Sequence, residues 1–185
     1  MKRTLLAKYA FACAAAYLHA CRTPKPPPAH DTVIRRKAFP LGQSIHRIVA
    51  IEDNDADATL LRHALDLQGE PYSLEILPDG ESALKFVRDH CRADEPEPCL
   101  IILDLHLPRY DGATVLREIR KSLELAHVTV AVVTTIASPE EHRDVLKLGV
   151  NLYRTKPTTW AATVELAREL LELCKNPQKT MTQPA

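Results

Sequence analysis

Three stretches of this chain are aliphatic on consecutive positions instead of alternate ones: "RIVAIED" (47–53), "CLIILDL" (99–105) and "VTVAVVTT" (128–135). A strand that is apolar on both faces must be covered on both faces, the situation of a central strand in a parallel sheet. Between and after these runs the period changes to that of amphipathic helices. "DADATLLRHALDLQG" (55–69) has helical apolar spacing, with Asn54 or Asp55 as N-cap and Gly69 as stop. "ESALKFVRDHC", "ATVLREIRKSL", "PEEHRDVLKLG" and "TWAATVELARELLELC" read as four more helices, the third of these opened by Pro139 near its first turn. "SLEILPDG" and "VNLYRT" supply two shorter strands. Five strands alternating with five helices predict βαβ units and a parallel sheet wound on both sides.

In such a sheet, ligands bind at the carboxyl ends of the strands, where the strand order reverses. The first strand ends at Glu52 and Asp53, the third at Asp104, the fourth at Thr134 and Thr135, and Lys156-Pro157 follows the fifth. An ionised carboxylate at the end of the run "LIILD" is expensive to desolvate, so burial alone does not explain Asp104. Three converging carboxylates repel one another and raise their own pKa values unless a cation sits among them. Oxygen ligands of this kind, with room for water and phosphate, suit Mg²⁺. Lys156 and Thr134 would face the anion that such a metal recruits. A carboxylate nucleophile beside a metal and a lysine is a setting for phosphoryl transfer through an aspartyl phosphate.

Residues 46–175 resemble the receiver domain of two-component response regulators, close to single-domain regulators of the chemotaxis type. The resemblance rests on "IEDN" (51–54), "LDLHLPRYDG" (103–112), "VVTT" (132–135) and "YRTKP" (153–157), in that order. The interval from Asp104 to Thr134 is 30 residues and from Thr134 to Lys156 is 22. "EDNDAD" and the long loop near residues 92–98 further resemble the stand-alone regulators paired with phytochrome-like sensor kinases.

The resemblance implies a flavodoxin-like fold with strand order 2-1-3-4-5. It makes Asp104 the phosphoacceptor, with Mg²⁺ held by Glu52, Asp53, Asp104 and the backbone carbonyl of His106. Lys156 contacts the phosphoryl group and is followed by a cis bond to Pro157. Thr134 moves to a phosphoryl oxygen and Tyr153 changes rotamer with it, while Pro108 and Gly112 shape the turn after the acceptor. The implied partner is a sensor histidine kinase or a histidine phosphotransfer protein. The last strand–helix face, around Tyr153 and residues 139–172, is the surface a partner reads, a second copy of the chain included. The protein is then a regulator and not an enzyme, catalysing at most its own phosphorylation and dephosphorylation.

Each of these residues also has an ordinary role open to it. Glu52 and Asp53 fit the approach to a helix cap, Asp104 a turn, Thr134 and Tyr153 a half-buried strand, and Lys156 a solvated loop. Two other functions compete. A haloacid-dehalogenase-type phosphatase also uses a strand-end Asp with Thr and Lys, but needs an acid where His106 stands and a nucleophile on its first strand. A degenerate receiver would be a constitutive binding module; here all five key positions are intact.

The rest of the chain adds limits. With 24 Lys+Arg against 24 Asp+Glu there is no global charge argument for nucleic acid or an anionic membrane. The five glycines make neither GxGxxG nor a P-loop. The five cysteines form no CxxC and read as neither a disulfide framework nor a zinc site, with Cys99 an inert buried thiol in a reducing compartment. Residues 1–22 carry a basic start and a ten-residue apolar stretch, with "LHAC" resembling a lipoprotein cleavage box. An export signal, a short amphipathic helix and an upstream-start extension all fit. Residues 23–45, with "TPKPPPAH", read as a proline-rich linker, and 176–185 as a tail. Because a receiver draws on ATP through its kinase, the expected location is cytoplasmic and the signal-like segment non-functional.

Overall fold

The structure is a computed structural model, and it describes residues 45–90, 96–135 and 138–177. The readings for residues 1–22, for the linker up to residue 44, for most of the 92–98 loop and for the tail beyond residue 177 lie outside the described residues.

Five parallel strands form one sheet: β1 His46–Ile51, β2 Tyr72–Leu77, β3 Leu100–Leu103, β4 Thr129–Thr134 and β5 Leu152–Thr155. They lie in the order β2-β1-β3-β4-β5, so the three aliphatic strands are central, as their composition predicts. Ile48 pairs with Leu100 and Leu100 with Thr129, which aligns the carboxyl ends of β1, β3 and β4. The strands stop earlier than the apolar runs suggest. Glu52, Asp53 and Asp104 lie just beyond the last paired residues, although the Asp104 amide still donates to the Ile51 carbonyl at 3.0 Å.

The helices are α1 Asp55–Leu67, α2 Gly80–His90, α3 Gly112–Lys121, α4 Pro139–Lys147 and α5 Trp160–Lys175. Their starts are capped by side-chain oxygens that take up otherwise orphaned amides. Asn54 accepts from Ala56 (2.9 Å) and Asp57 (3.4 Å), Asp111 from Thr114 (2.8 Å), Ser138 from Glu141 (3.1 Å) and Thr159 from Ala162 (3.3 Å). A cap of this kind contributes about 1 kcal/mol. Gly69 ends the α1 connection at φ +72°, a conformation that costs glycine least.

Each face of the sheet has its own core. Ile48, Ala50, Leu100, Ile102, Ala131 and Val133 pack against Ala64 and Leu65 of α1 and Leu166, Ala167, Leu170 and Leu171 of α5. The alternate residues Val49, Ile51, Ile101, Leu103, Val130 and Val132 pack against Ala83 and Val87 of α2, Val115, Leu116 and Ile119 of α3 and Val145 of α4. Both faces of β1, β3 and β4 are thus used, which is why their sequences do not alternate. Among the described residues no helix is long and apolar enough to cross a membrane.

Candidate functional site

The carboxyl ends of β1, β3 and β4 and the start of the chain after β5 bring four of the expected residues together. Asp104 is buried, its side chain only 4% exposed, and it is placed there by the last rung of the β1–β3 ladder. The Lys156 amide donates to the Thr134 carbonyl at 2.8 Å, which continues the β4–β5 ladder by one residue and fixes where the lysine side chain starts. Its ammonium then lies 2.6 Å from Asp104 Oδ2, 2.8 Å from Glu52 Oε1 and 2.9 Å from Asp57 Oδ2. One cation therefore bridges three carboxylates, two of them well buried.

Backbone and side-chain donors finish the acceptor. The His106 amide donates to Asp104 Oδ1 at 3.1 Å, and the Asn54 amide donates to Glu52 Oε1 at 3.1 Å. Burial by itself would push the Asp104 carboxyl up, but the Lys156 ammonium, the His106 amide and the Thr134 hydroxyl outweigh it, and the group is held below the usual carboxylate range. Glu52 goes the other way, because burial exceeds the help it receives from Lys156. Lys156 is held above its ordinary value: burial lowers it, and the bonds to Asp104, Glu52 and Asp57 more than reverse this.

Thr134 is fully buried, and its hydroxyl lies 2.9 Å from His106 Nδ1. Tyr153 is half-buried with its ring 4.2 Å from the His142 ring, centroid to centroid. Its hydroxyl is buried without a hydrogen-bond partner among the described residues, and burial pushes its pKa up, with Glu141 and Asp104 adding to the effect.

The turn after the acceptor is pressed from behind. Gly112 donates to the Leu105 carbonyl at 2.9 Å, and a Cβ on Gly112 would sit 2.3 Å from the Asp104 carbonyl oxygen. A Cβ on Gly80 would similarly meet the Tyr110 carbonyl at 2.4 Å. Between these two helix starts Arg109 takes a positive φ of 71°, with its guanidinium 3.5 Å from Asp79 and also paired with Glu81.

The carboxylates of Glu52, Asp53 and Asp104 can each offer an oxygen within 4.8 Å of the other two, so this donor set fits one hard divalent cation. Lys156 engages one oxygen of Glu52 and one of Asp104, which leaves second oxygens on both, and Asp53 is exposed.

One sequence expectation needs correction. No peptide bond among the described residues is cis, so Lys156–Pro157 is trans. Trans is the intrinsically favoured isomer, and it already delivers the ammonium to Asp104. The His106 ring additionally contacts Thr134, a contact the sequence reading did not address. The sequence reading missed Asp57 altogether. An acid in the first turn of a helix has an ordinary explanation in the helix dipole, and only its alignment with the strand ends signals more.

Residues 48–168 match the family model described as the response regulator receiver domain. The chain is 36% identical over 110 residues to the response regulator Rcp1 of Synechocystis sp., covering 59% of this chain and 75% of that protein. Among solved structures it is similar to the phosphorylated cyanobacterial phytochrome response regulator RcpA, at 30% identity and a TM-score of 0.66, covering 77% of this chain and 100% of the other. The Mn²⁺-bound form of Rcp1 is similar at 31% identity and a TM-score of 0.61, covering 76% and 99%.

Proposed function

Because the chain belongs to the response regulator receiver domain family, we propose that it accepts a phosphoryl group on Asp104 from the phosphohistidine of a sensor kinase or phosphotransfer protein. The observation that carries this is the buried Asp104 carboxylate, kept ionised 2.6 Å from the Lys156 ammonium at the strand end. An Asp104 oxygen attacks phosphorus, the P–N bond to the donor imidazole breaks, and the imidazole leaves with a proton. An acyl phosphate remains on Asp104. Glu52, Asp53, Asp104 and the His106 carbonyl would hold Mg²⁺, which when bound supplies charge neutralisation for the transferring phosphoryl oxygens.

Lys156 already neutralises the acceptor and is in place to follow the charge as it moves onto the phosphoryl oxygens. Thr134, in contact with His106, would turn its hydroxyl to a phosphoryl oxygen, and the Tyr153 hydroxyl has no hydrogen bond among the described residues to lose when its rotamer changes. These two residues would transmit the modification to the β5–α5 face, read by a kinase, a target or a second copy. The reading is of a cytoplasmic signalling protein with a receiver at 46–175. It needs neither nucleic acid nor membrane, and residues 1–45 take no part in the chemistry. The relationship to RcpA and Rcp1 favours a phytochrome-like sensor as the upstream kinase.

Acetyl phosphate with Mg²⁺ tests the assignment. One phosphate should be incorporated, lost in alkaline hydroxylamine, and absent from Asp104→Asn. Undiminished labelling of Asp104→Asn would overturn it.

A further inference from the structure

At the opposite end of the sheet, where the strands begin, two cysteines meet that the phosphorylation chemistry does not use. Cys99 immediately precedes β3 and Cys174 lies in the last turn of α5, 75 residues later, with their Sγ atoms 2.7 Å apart. Both are half-buried free thiols packed against the core on this face of the sheet. His46, at the start of β1, brings a ring nitrogen within 4.8 Å of both sulfurs, and its Nε2 lies 3.3 Å from Glu70. Lys175, next to Cys174, also pairs with Glu70.

We infer that Cys99 and Cys174 form a reversible disulfide that fastens the end of α5 to the start of β3. The separation of the sulfurs is inside van der Waals contact, and a small movement brings them to the covalent distance of about 2.05 Å. Two thiolates on one zinc ion, each about 2.3 Å from the metal in tetrahedral geometry, stand considerably farther apart. The sulfur separation therefore favours the disulfide over a metal site with His46.

The co-reactant is a small-molecule disulfide of the glutathione class. One cysteine thiolate attacks it, forming a mixed disulfide and expelling one small thiolate. The second cysteine then attacks the protein sulfur of the mixed disulfide and expels the other. Two protein thiols are oxidised by two electrons, the co-reactant is reduced to two thiols, and the protein's two protons leave with them. In a reducing compartment such a bond is transient and responsive, as intracellular disulfides generally are.

The test treats the full chain with oxidised glutathione in the presence of a chelator, followed by peptide mapping without reduction. The Cys99–Cys174 cross-linked peptide should form at least about ten times faster than any pairing with Cys13, Cys21 or Cys91, because the two sulfurs are already held together. A second protein with Cys13→Ser, Cys21→Ser and Cys91→Ser should unfold at a higher temperature when oxidised than when reduced. Adding Cys99→Ser, or Cys99→Ala if the serine folds poorly, should abolish that difference. Accumulation of separate glutathione adducts on Cys99 and Cys174 without a cross-link would overturn the inference. So would stoichiometric Zn²⁺ binding that shields both thiols from the oxidant in a parallel sample given Zn²⁺ in place of the chelator.

Discussion

Lys156→Met removes the cation from the site while nearly keeping the stem volume. It strands Asp104, 4% exposed, and Glu52, 12% exposed, as neighbouring carboxylates with no ammonium between them. Removing one partner of a buried ion pair typically costs about 3–5 kcal/mol. Protonation limits that cost. A buried carboxyl can escape by taking up a proton, which at about pH 7 costs about 1.4 kcal/mol for each unit above an unfolded pKa near 3.9, or about 4 kcal/mol. The expected loss at neutral pH is therefore about 3 kcal/mol, near the lower end of the range because Asp57 is partly solvated. At about 3 °C per kcal/mol for a domain of this size, the unfolding temperature should fall by roughly 10 °C.

The pH dependence separates this from simple loss of packing. In the unaltered protein the Asp104 carboxyl is held low, so its stabilisation is present above its unfolded pKa and lost as pH falls through the folded value. Glu52 is held high, so its contribution is present below its unfolded pKa and lost as pH rises through the folded value. Without Lys156 both folded values rise, and the variant's deficit should be largest near pH 8 and shrink toward about pH 4, where protonation costs almost nothing. Circular dichroism melts across that range measure it directly. A deficit as large at about pH 4 as at pH 8 would refute the electrostatic argument.

Other substitutions address separate parts of the structure. Gly112→Ala should cost about 2 kcal/mol or more in denaturant melts, because backbone atoms of Asp104 and Leu105 lie where its methyl group would go. Asp57→Asn leaves Lys156 two of its three partners, so stability should drop by no more than about 1 kcal/mol and acetyl-phosphate labelling should persist. Asp53→Ala should sharply weaken Mg²⁺ binding in calorimetry while leaving the apo fold intact, since that side chain is exposed. A chain starting at Gln43 should match the full chain in melting temperature and labelling, because among the described residues every core side chain follows the linker.

Most of the architecture was legible because burial on two faces leaves a mark that a single residue cannot hide. The runs in β1, β3 and β4 announced central strands, while Asn54 or Asp55 and Pro139 announced two of the helix starts; the caps at Asp111, Ser138 and Thr159 emerged only with the structure. Glu52, Asp53, Asp104, Thr134 and Lys156 were legible as a group, since a parallel sheet collects its strand ends on one side. What stayed hidden required two distant elements to be placed first. Asp57 meets Lys156 across 99 residues of sequence, and Cys99 meets Cys174 across 75. Neither spacing follows any helix or strand period. The trans Lys156–Pro157 bond was misjudged because the two isomers differ by only about 0.5–1 kcal/mol in isolation, and the sequence carries no further discriminator.

The clamping of the acceptor turn between Gly80 and Gly112 has a consequence for how this chain tolerates change. The segment from Leu105 to Asp111 looks like a surface loop, the kind of place where insertions and deletions ordinarily accumulate. Here both of its flanks are fitted against backbone, so an added or missing residue has no slack to absorb it and would displace the Asp104 carbonyl or the start of α3. The segment behaves as a spacer of fixed gauge: an exposed side chain such as Tyr110 is open to variation, while the length of the segment is not.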